Sequence, residues 1–500
     1  MKNKIKKTII IKISIFIIFT ILLFISIFIY KNSKNITFEQ LLYSIMYSKG
    51  TSVSAIIPGI KYVTFNTLSV IVLFWFLNRI IIYSKKFFPI KLTINKKTYY
   101  IDIFKHKKIK INIMLISYII FVLLISVKCY KLDEYIKTQF YSSGIYEKYY
   151  IDAKDAKIRF PEMKRNLIYI YVESLEMTNA TVKNGGKMSM KIIPKLEELA
   201  LKNTNFSNSN LLGGARNIYG TNWTMAALIA QTSGIPLRVS IDSYDYEQYT
   251  EPLPGVYSLG EVLEKNGYKN YFLLGSDANF ANRKDYFIEH GNYTIYDYEY
   301  AKNNNWIEDN YHEWWGYEDK KLYEFAQKEL KEISKSNEPF NFTILTADTH
   351  FPDGYLDESC PNISDVAYIN SLNCTDTMLN DFISWIKQQD FYQNTTIIIT
   401  GDHLSMQPVF YDEYENRTIY NVFLNSAINS TNNKNREFSS FDMYPTTLAA
   451  LGATIKGDRL GLGTNLYSNK KTLIEELGYE FFNEELKKKS LYYKNVILKD

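Results

Sequence analysis

Three apolar stretches in the first 130 residues constrain this chain more than any other feature. The first, Ile9–Tyr30, reads IIIKISIFIIFTILLFISIFIY. The second runs Val63–Tyr83 around SVIVLFWFL, and the third, INIMLISYIIFVLLISV, fills 111–127 and reaches Cys129. Each approaches or exceeds the roughly 20 residues a helix needs to cross a bilayer. They are read as transmembrane helices at 9–30, 63–83 and 111–129 of a membrane domain spanning 1–130. A removed signal peptide does not fit the first stretch, because its apolar region is too long and YKNSK after it offers no small-residue cleavage site.

Lysines orient the spans. The N-terminus reads MKNKIKK, and nine lysines lie between Lys85 and Lys110 against Asp102 alone. The first connection holds only Lys31, Lys34, Lys49 and Lys61. The positive-inside rule then puts the N-terminus and the second connection in the cytoplasm. The expectation is a multi-pass protein of the inner (cytoplasmic) membrane whose chain after Tyr130 lies in the periplasm or outside the cell. Residues 1–129 carry 19 Lys and one Arg against Glu39 and Asp102, a surplus of 18, so the remainder carries a deficit of 13 to give the net +5. Nucleic acid is no partner for that acidic remainder. Cys129 ends the third span as a small membrane residue. Cys360 and Cys374 lie where a disulfide persists; they form one, or are two separate thiols.

Residues 131–165, rich in Tyr and Lys, read as a juxtamembrane linker that lies along the membrane or over the domain surface. From Asn166 short apolar runs, NLIYIYV (166–172), KNYFLLG (269–275), FNFTILT (340–346) and TTIIIT (395–400), alternate with helical spacings such as IPKLEELALKN and MLNDFISWIKQQ. That alternation predicts an α/β domain over 166–470, a mostly parallel sheet sandwiched by helices. The tail, 471–500, reads as an exposed helix or fray.

Ligands of open α/β sheets bind beyond the carboxyl ends of strands. The four runs lead into Glu173; into Ser276 and Asp277 with Arg283 beyond; into Asp348 and His350; and into Asp402 and His403. Glu173, Asp402 and His403 make a metal set. Two carboxylates and an imidazole suit one divalent ion, Zn²⁺ or Mn²⁺, with a position left open. GGARNIYGTNWTMAALIAQTSGIPL (213–237) supplies the group for that position. Thr224 falls at or near a helix start, where the helix dipole and a metal both favour an alkoxide. The alternative for Thr221 or Thr224 is an N-cap, and both roles can coexist.

With these residues assembled, the chain resembles the phosphoglycerol transferases of the alkaline phosphatase/sulfatase superfamily. The nearest likeness is to the phosphoglycerol transferase I family, which decorates periplasmic glucans. Lipoteichoic acid synthases and lipid A phosphoethanolamine transferases are further relatives. NLIYIYVESLE, GTNWTMAALIAQTSGIPL, LGEVLEKNGYKNYFLLG, WGYEDK, TADTHFPDG, GDHL, FDMYPTTLAALGA and LGLG carry the likeness, in order. The resemblance implies a sulfatase-like catalytic domain with metal ligands Glu173, Thr224, Asp402 and His403. It implies Thr224 as nucleophile, with Thr221 the alternative, and Arg283 and His350 as substrate-binding residues. It implies phosphoglycerol transfer from phosphatidylglycerol to an extracytoplasmic glycan or polymer hydroxyl through a phosphothreonine intermediate, with the membrane as partner. Formylglycine-type sulfatase chemistry is disfavoured: it needs a Cys or Ser in [CS]-x-P-x-R, and SGIPLR has the wrong spacing. Alternatives are phosphoethanolamine transfer, plain phosphodiester hydrolysis, and a membrane-anchored binding or sensor protein with a degenerate site.

Overall fold

The computed structural model describes residues 2–32, 36–46, 53–83, 90–94, 97–101, 107–238, 252–407, 411 and 416–499. Lys34, Lys49, Lys85, Lys86, Lys96, Asp102 and Lys105, used above to orient the spans, lie outside them. The chain divides into two compact units, one of Met1–Leu41 with Ser52–Ile136 and one of Leu42–Thr51 with Lys137–Asp500.

In the first unit, α1 (Lys2–Asn32), the start of α2 (Phe38–Met46), α3 (Val53–Tyr83) and α4 (Lys107–Cys129) follow one another, while α2 from Leu42 onward belongs to the second unit. Three of the helices contain stretches long and apolar enough to cross a membrane: Lys7–Asn32, Ile56–Phe76 and Asn112–Cys129. Apolar side chains gain little by leaving lipid for one another, so polar contacts matter at such interfaces. Thr20 Oγ1 meets Tyr118 Oη at 2.9 Å, and Ser26 Oγ meets Ser126 Oγ at 2.9 Å, joining α1 to α4.

The second unit is built on a six-stranded sheet. Its strands are β1 (Asn166–Val172), β2 (Lys269–Leu274), β3 (Thr294–Tyr296), β4 (Phe340–Leu345), β5 (Thr395–Gly401) and β6 (Asn421–Leu424). The order is β6-β5-β1-β4-β2-β3. All neighbours are parallel except the edge strand β6, which runs antiparallel to β5. The helices that matter below are α5 (Pro194–Lys202), α6 (Thr224–Ser233), α7 (Leu259–Lys265), α8 (Arg283–Glu289), α9 (Asp319–Ile333), α10 (Ala367–Lys387) and α11 (Met443–Ala450).

The unbroken apolar runs have a simple cause: the central strands are covered on both faces. Leu167, Tyr169 and Tyr171 of β1 pack with α6, α7, α8 and α11. Ile168, Ile170 and Val172, pointing the other way, pack with α5, α9 and α10. Side chains alternate along a strand, so one sequence run feeds two cores.

Two regions differ from the sequence reading. The tail is no fray: Leu473, Ile474, Phe482, Leu486, Tyr493 and Ile497 are buried in the core beside α11. Their helical spacing gives the segment an apolar stripe, and each such side chain buried stabilises by about 1.5–3 kcal/mol. The second half of the linker also belongs to the domain. Ile145 and Tyr146 are core residues, and Ile158–Arg159 pairs with Thr454–Ile455.

Cys360 and Cys374 are bonded, tying the loop after β4 to α10. Reducing the bond, or replacing both cysteines by serine, should lower unfolding stability by about 3 kcal/mol, the value for a loop of this length. Denaturant titration with and without reductant measures it. No change in midpoint would mean that the loop is already held by its other contacts.

Candidate active site

The adjacent strands β1 and β5 end in register, Val172 opposite Gly401, so Glu173 and Asp402 leave neighbouring strand ends side by side. The turn after β5 needs Gly401, because a Cβ there would lie 1.8 Å from the Leu175 carbonyl oxygen. Ser174, next to Glu173, takes a left-handed φ of 55°. That turns its amide onto Asp402 Oδ1 at 2.8 Å, and its hydroxyl donates to Glu173 Oε1 at 2.6 Å. The His403 amide also donates to Asp402 Oδ1, at 2.8 Å. One carboxylate oxygen of Asp402 is thereby satisfied twice. The other, Oδ2, is buried without a hydrogen-bond partner.

His403 completes the group. Its Nδ1–H donates to the Leu404 carbonyl at 2.8 Å, which leaves the Nε2 lone pair facing inward. Nε2 lies 3.3 Å from Asp402 Oδ2 and 3.5 Å from Glu173 Oε1. Thr224 is the first residue of α6, and Trp223 rather than either threonine occupies the N-cap position. Thr224 Oγ1 is 3.3 Å from Glu173 Oε2 and 3.4 Å from His403 Nε2. Thr221 is committed elsewhere: its buried hydroxyl donates to the Ile218 carbonyl at 2.7 Å and accepts from the Ile218 amide at 3.3 Å.

The ligand atoms of Glu173, Asp402 and His403 all lie within 4.8 Å of one another. Burial raises the Glu173 carboxyl, but the imidazoles of His403 and His350 and the Ser174 and Thr224 hydroxyls outweigh it and leave it below its ordinary range. Asp402 goes the other way: burial and the Glu173 charge push it up to about 7. Burial lowers His403, yet Asp402 and Glu173 more than compensate, so it is raised. Two carboxylates, an inward imidazole lone pair and an unpartnered buried carboxylate oxygen are the donors a small divalent cation takes.

Arg283 and His350 flank this group without hydrogen-bonding to it. Arg283 opens α8; its Nε donates to the Phe280 carbonyl at 3.0 Å and its Nη2 to the Asp277 carbonyl at 2.9 Å. Burial lowers the guanidinium to about 10, with Asp277 and Glu173 opposing. The His350 Nδ1–H donates to the Phe351 carbonyl at 2.6 Å, and the ring stands edge-on to Trp315 with centroids 4.7 Å apart. Asp348 turns into the protein: its Oδ2 accepts from the Asp319 amide at 3.2 Å. Asp277 serves a local turn, accepting from the Asn279 amide at 2.8 Å.

Several supporting residues were not singled out in the sequence. Glu176, in ESLE, forms a buried pair with Arg417, whose Nε donates to Glu176 Oε1 at 2.9 Å. Together they hold both backbone groups of Ser405: its amide donates to Glu176 Oε2 at 3.0 Å, and its carbonyl accepts from Arg417 Nη2 at 2.7 Å. Ser405 follows the Leu404 carbonyl that orients His403. Asp319, in WGYEDK, accepts from the amides of Ala347 and Asp348 at 2.8 and 3.0 Å and so shapes the loop bearing His350. The motifs were visible, but the partners were not: those of Glu176 lie 241 and 229 positions away, and those of Asp319 are backbone amides.

A family model described as Sulfatase matches residues 165–453, more than half of the chain and all six candidate site residues. The chain belongs to the sulfatase family. It is similar to Phosphoglycerol transferase I of Xanthomonas campestris pv. campestris (strain B100), 28% identical over 320 residues, covering 62% of this chain and 43% of that protein. Phosphoglycerol transferase I of Escherichia coli O127:H6 is 30% identical over 263 residues, covering 51% of this chain and 32% of that one. The matches thus span less than half the length of these relatives. Among solved structures, the lipoteichoic acid synthase LtaP from Listeria monocytogenes superposes with a TM-score of 0.48 at 19% identity, covering 63% of this chain and 79% of that one. The lipooligosaccharide phosphoethanolamine transferase EptA from Neisseria meningitidis gives 0.49 at 13% identity, covering 87% and 84%.

Two outcomes are expected of this sulfatase-family site. With its folded value raised from 3.8 to about 7, Asp402 stabilises the metal-free protein fully below the unfolded value, and that contribution is lost as pH rises through about 7. In chelator, the unfolding midpoint should therefore fall between pH 4 and 8 less steeply for Asp402→Asn than for wild type, and Mn²⁺ affinity by calorimetry should rise with pH across the same window. Separately, Glu176→Gln or Arg417→Lys should weaken Mn²⁺ binding by about 10–100-fold, the usual effect of removing a group that orients a ligand. Unchanged isotherms would show that the Ser405 clamp does not govern His403.

Proposed function

We propose that the chain is a membrane-anchored, metal-dependent phosphoglycerol transferase. In this reading residues 1–130 are the membrane domain with a cytoplasmic N-terminus, and 166–470 the extracytoplasmic catalytic domain. The donor is phosphatidylglycerol and the acceptor a glycan or polymer hydroxyl. The observation that carries the reading is the Thr224 hydroxyl within 3.4 Å of both Glu173 and His403, beside the unpartnered oxygen of Asp402. Similarity to phosphoglycerol transferase I supports the choice of transferred group. SGIPLR, with no Cys or Ser in formylglycine spacing, weighs against sulfate-ester chemistry.

Glu173, Asp402, His403 and Thr224 Oγ1 would hold one divalent ion, Mn²⁺ or Zn²⁺, which when bound lowers the pKa of the hydroxyl and neutralises phosphoryl charge. Thr224 Oγ, its proton already released to solvent, attacks phosphorus in line with the diacylglycerol oxygen. The new O–P bond forms as the bond to diacylglycerol breaks, leaving phosphoglycerol on Thr224. His350 hands a proton to the departing oxygen. Arg283 offers its positive charge to the non-bridging oxygens. An acceptor hydroxyl then displaces Thr224, loses its proton to His350 and takes the phosphoglycerol, which restores the deprotonated Thr224 and the protonated His350 for the next cycle.

With labelled phosphatidylglycerol, Thr224→Ala should slow diacylglycerol release at least about a thousandfold, as loss of a nucleophile does, whereas Thr221→Ala that folds should remain active. The adduct should map by fragmentation to Thr224 within the tryptic peptide Asn217–Arg238. Normal release from Thr224→Ala would refute the covalent step. Phosphatidylethanolamine outcompeting phosphatidylglycerol would change the transferred group.

A further inference from the structure

Tyr43 is carried by α2, between the first two apolar helices in sequence, yet it belongs to the second compact unit and to its core. It is 6% exposed, and Leu42 and Met46 pack against the same core. Its hydroxyl donates to the Ala281 carbonyl at 3.0 Å. Its ring lies 4.8 Å from that of Trp223, centroid to centroid, tilted by 60°. Ala281 stands two residues before Arg283, and Trp223 immediately before Thr224. One side chain thus touches both arms of the site, the turn that delivers the arginine and the start of the helix that delivers the hydroxyl.

The arginine arm needs holding. Ala281 and Asn282 take left-handed φ values of 56° and 58° in succession. Residues with a Cβ rarely adopt that conformation, and it persists where surrounding contacts over-determine it. The turn reverses the chain so that Arg283 begins α8 with its guanidinium folded back on the Asp277 and Phe280 carbonyls. The contact from Tyr43 is made to the carbonyl of the first of the two left-handed residues.

We propose that Tyr43 is a positioning residue for the phosphate-binding side of the site, fastening the Ala281–Asn282 turn so that Arg283 stands at a fixed place relative to Thr224. It rests on the reading of Arg283 given under the proposed function. Tyr43 lies outside the part matched by the family model, residues 165–453. The phosphate side of the site is therefore completed by a residue that the family-matched part does not contain. Tyr43 does not act on the reacting atoms, so its loss weakens capture of the phosphate and spares the chemical step and the metal ligands.

The test uses the full chain in nanodiscs of phosphatidylcholine and phosphatidylglycerol, comparing wild type, Tyr43→Phe and Tyr43→Ala. Diacylglycerol release is measured against phosphatidylglycerol fraction, Mn²⁺ affinity by calorimetry, and inorganic phosphate affinity by ligand-dependent thermal shift. Tyr43→Phe keeps the ring against Trp223 and loses the hydrogen bond. It should raise half-saturating phosphatidylglycerol and the phosphate Kd by about five- to tenfold, the size of one hydrogen bond, with kcat within about twofold and Mn²⁺ affinity unchanged. Tyr43→Ala should shift both further. Unchanged half-saturation and phosphate Kd in Tyr43→Phe would overturn the proposal, as would a parallel loss of Mn²⁺ affinity, which marks general loosening. If wild type releases no diacylglycerol, the transferase reading fails on its own. The phosphate arm then decides for Tyr43: weaker binding in Tyr43→Phe upholds its role, and equal binding removes it.

Discussion

Two carboxylates pressed together in a dry place are the constraint on which this structure turns. Glu173 and Asp402 are fully buried neighbours, and like charges in low dielectric cannot both remain ionised unaided. A single imidazole faces them, and one oxygen is left with nothing to accept. A shared proton relieves the conflict partly, and a divalent cation relieves it fully. The flanking geometry follows from that need. The register of β1 against β5 sets the two carboxylates side by side, Gly401 lets the turn close, and Ser174 adopts a left-handed conformation to bring its amide to Asp402. α6 then begins where its first hydroxyl meets the same point.

Around this centre the protein fixes backbone more than side chain. Glu176 and Arg417 grip the amide and carbonyl of one residue, Ser405, and the carbonyl before it sets the tautomer of His403. Asp319 does likewise for the loop of His350 by accepting two consecutive amides. Burial pushes Asp319 up to about 7, and burial with the Asp319 charge pushes Asp348 well above its usual range.

How much of this could be read in the residues depended on length and locality. The four central strands announced themselves because sheets covered on both faces need unbroken apolar runs, and Glu173, Asp402 and His403 stood out by interrupting those runs at their ends. β3 and β6, of three and four residues, were too short to carry a period. Thr224 and Thr221 were indistinguishable by spacing, and what separates them is that the Ile218 backbone already occupies one hydroxyl. Arg417 and Tyr43 were invisible because their meaning lies in partners 241 and 238 positions away. The tail misled because its apolar residues are sparse among lysines and glutamates, and only the shape of the receiving surface shows that they are enough.

That tail has a bearing on how the protein is made. Residues that precede β1 are paired with residues near the last ones described: the Ser143 amide donates to the Lys489 carbonyl at 2.9 Å, and Tyr146 meets Tyr493 with ring centroids 5.4 Å apart. The domain's hydrophobic interior is closed by strands of chain drawn from both its ends. Because a polypeptide is synthesised from its N-terminus, the beginning of the domain must wait for its end. Maturation of the site is therefore a late event, completed only after synthesis of the closing segment.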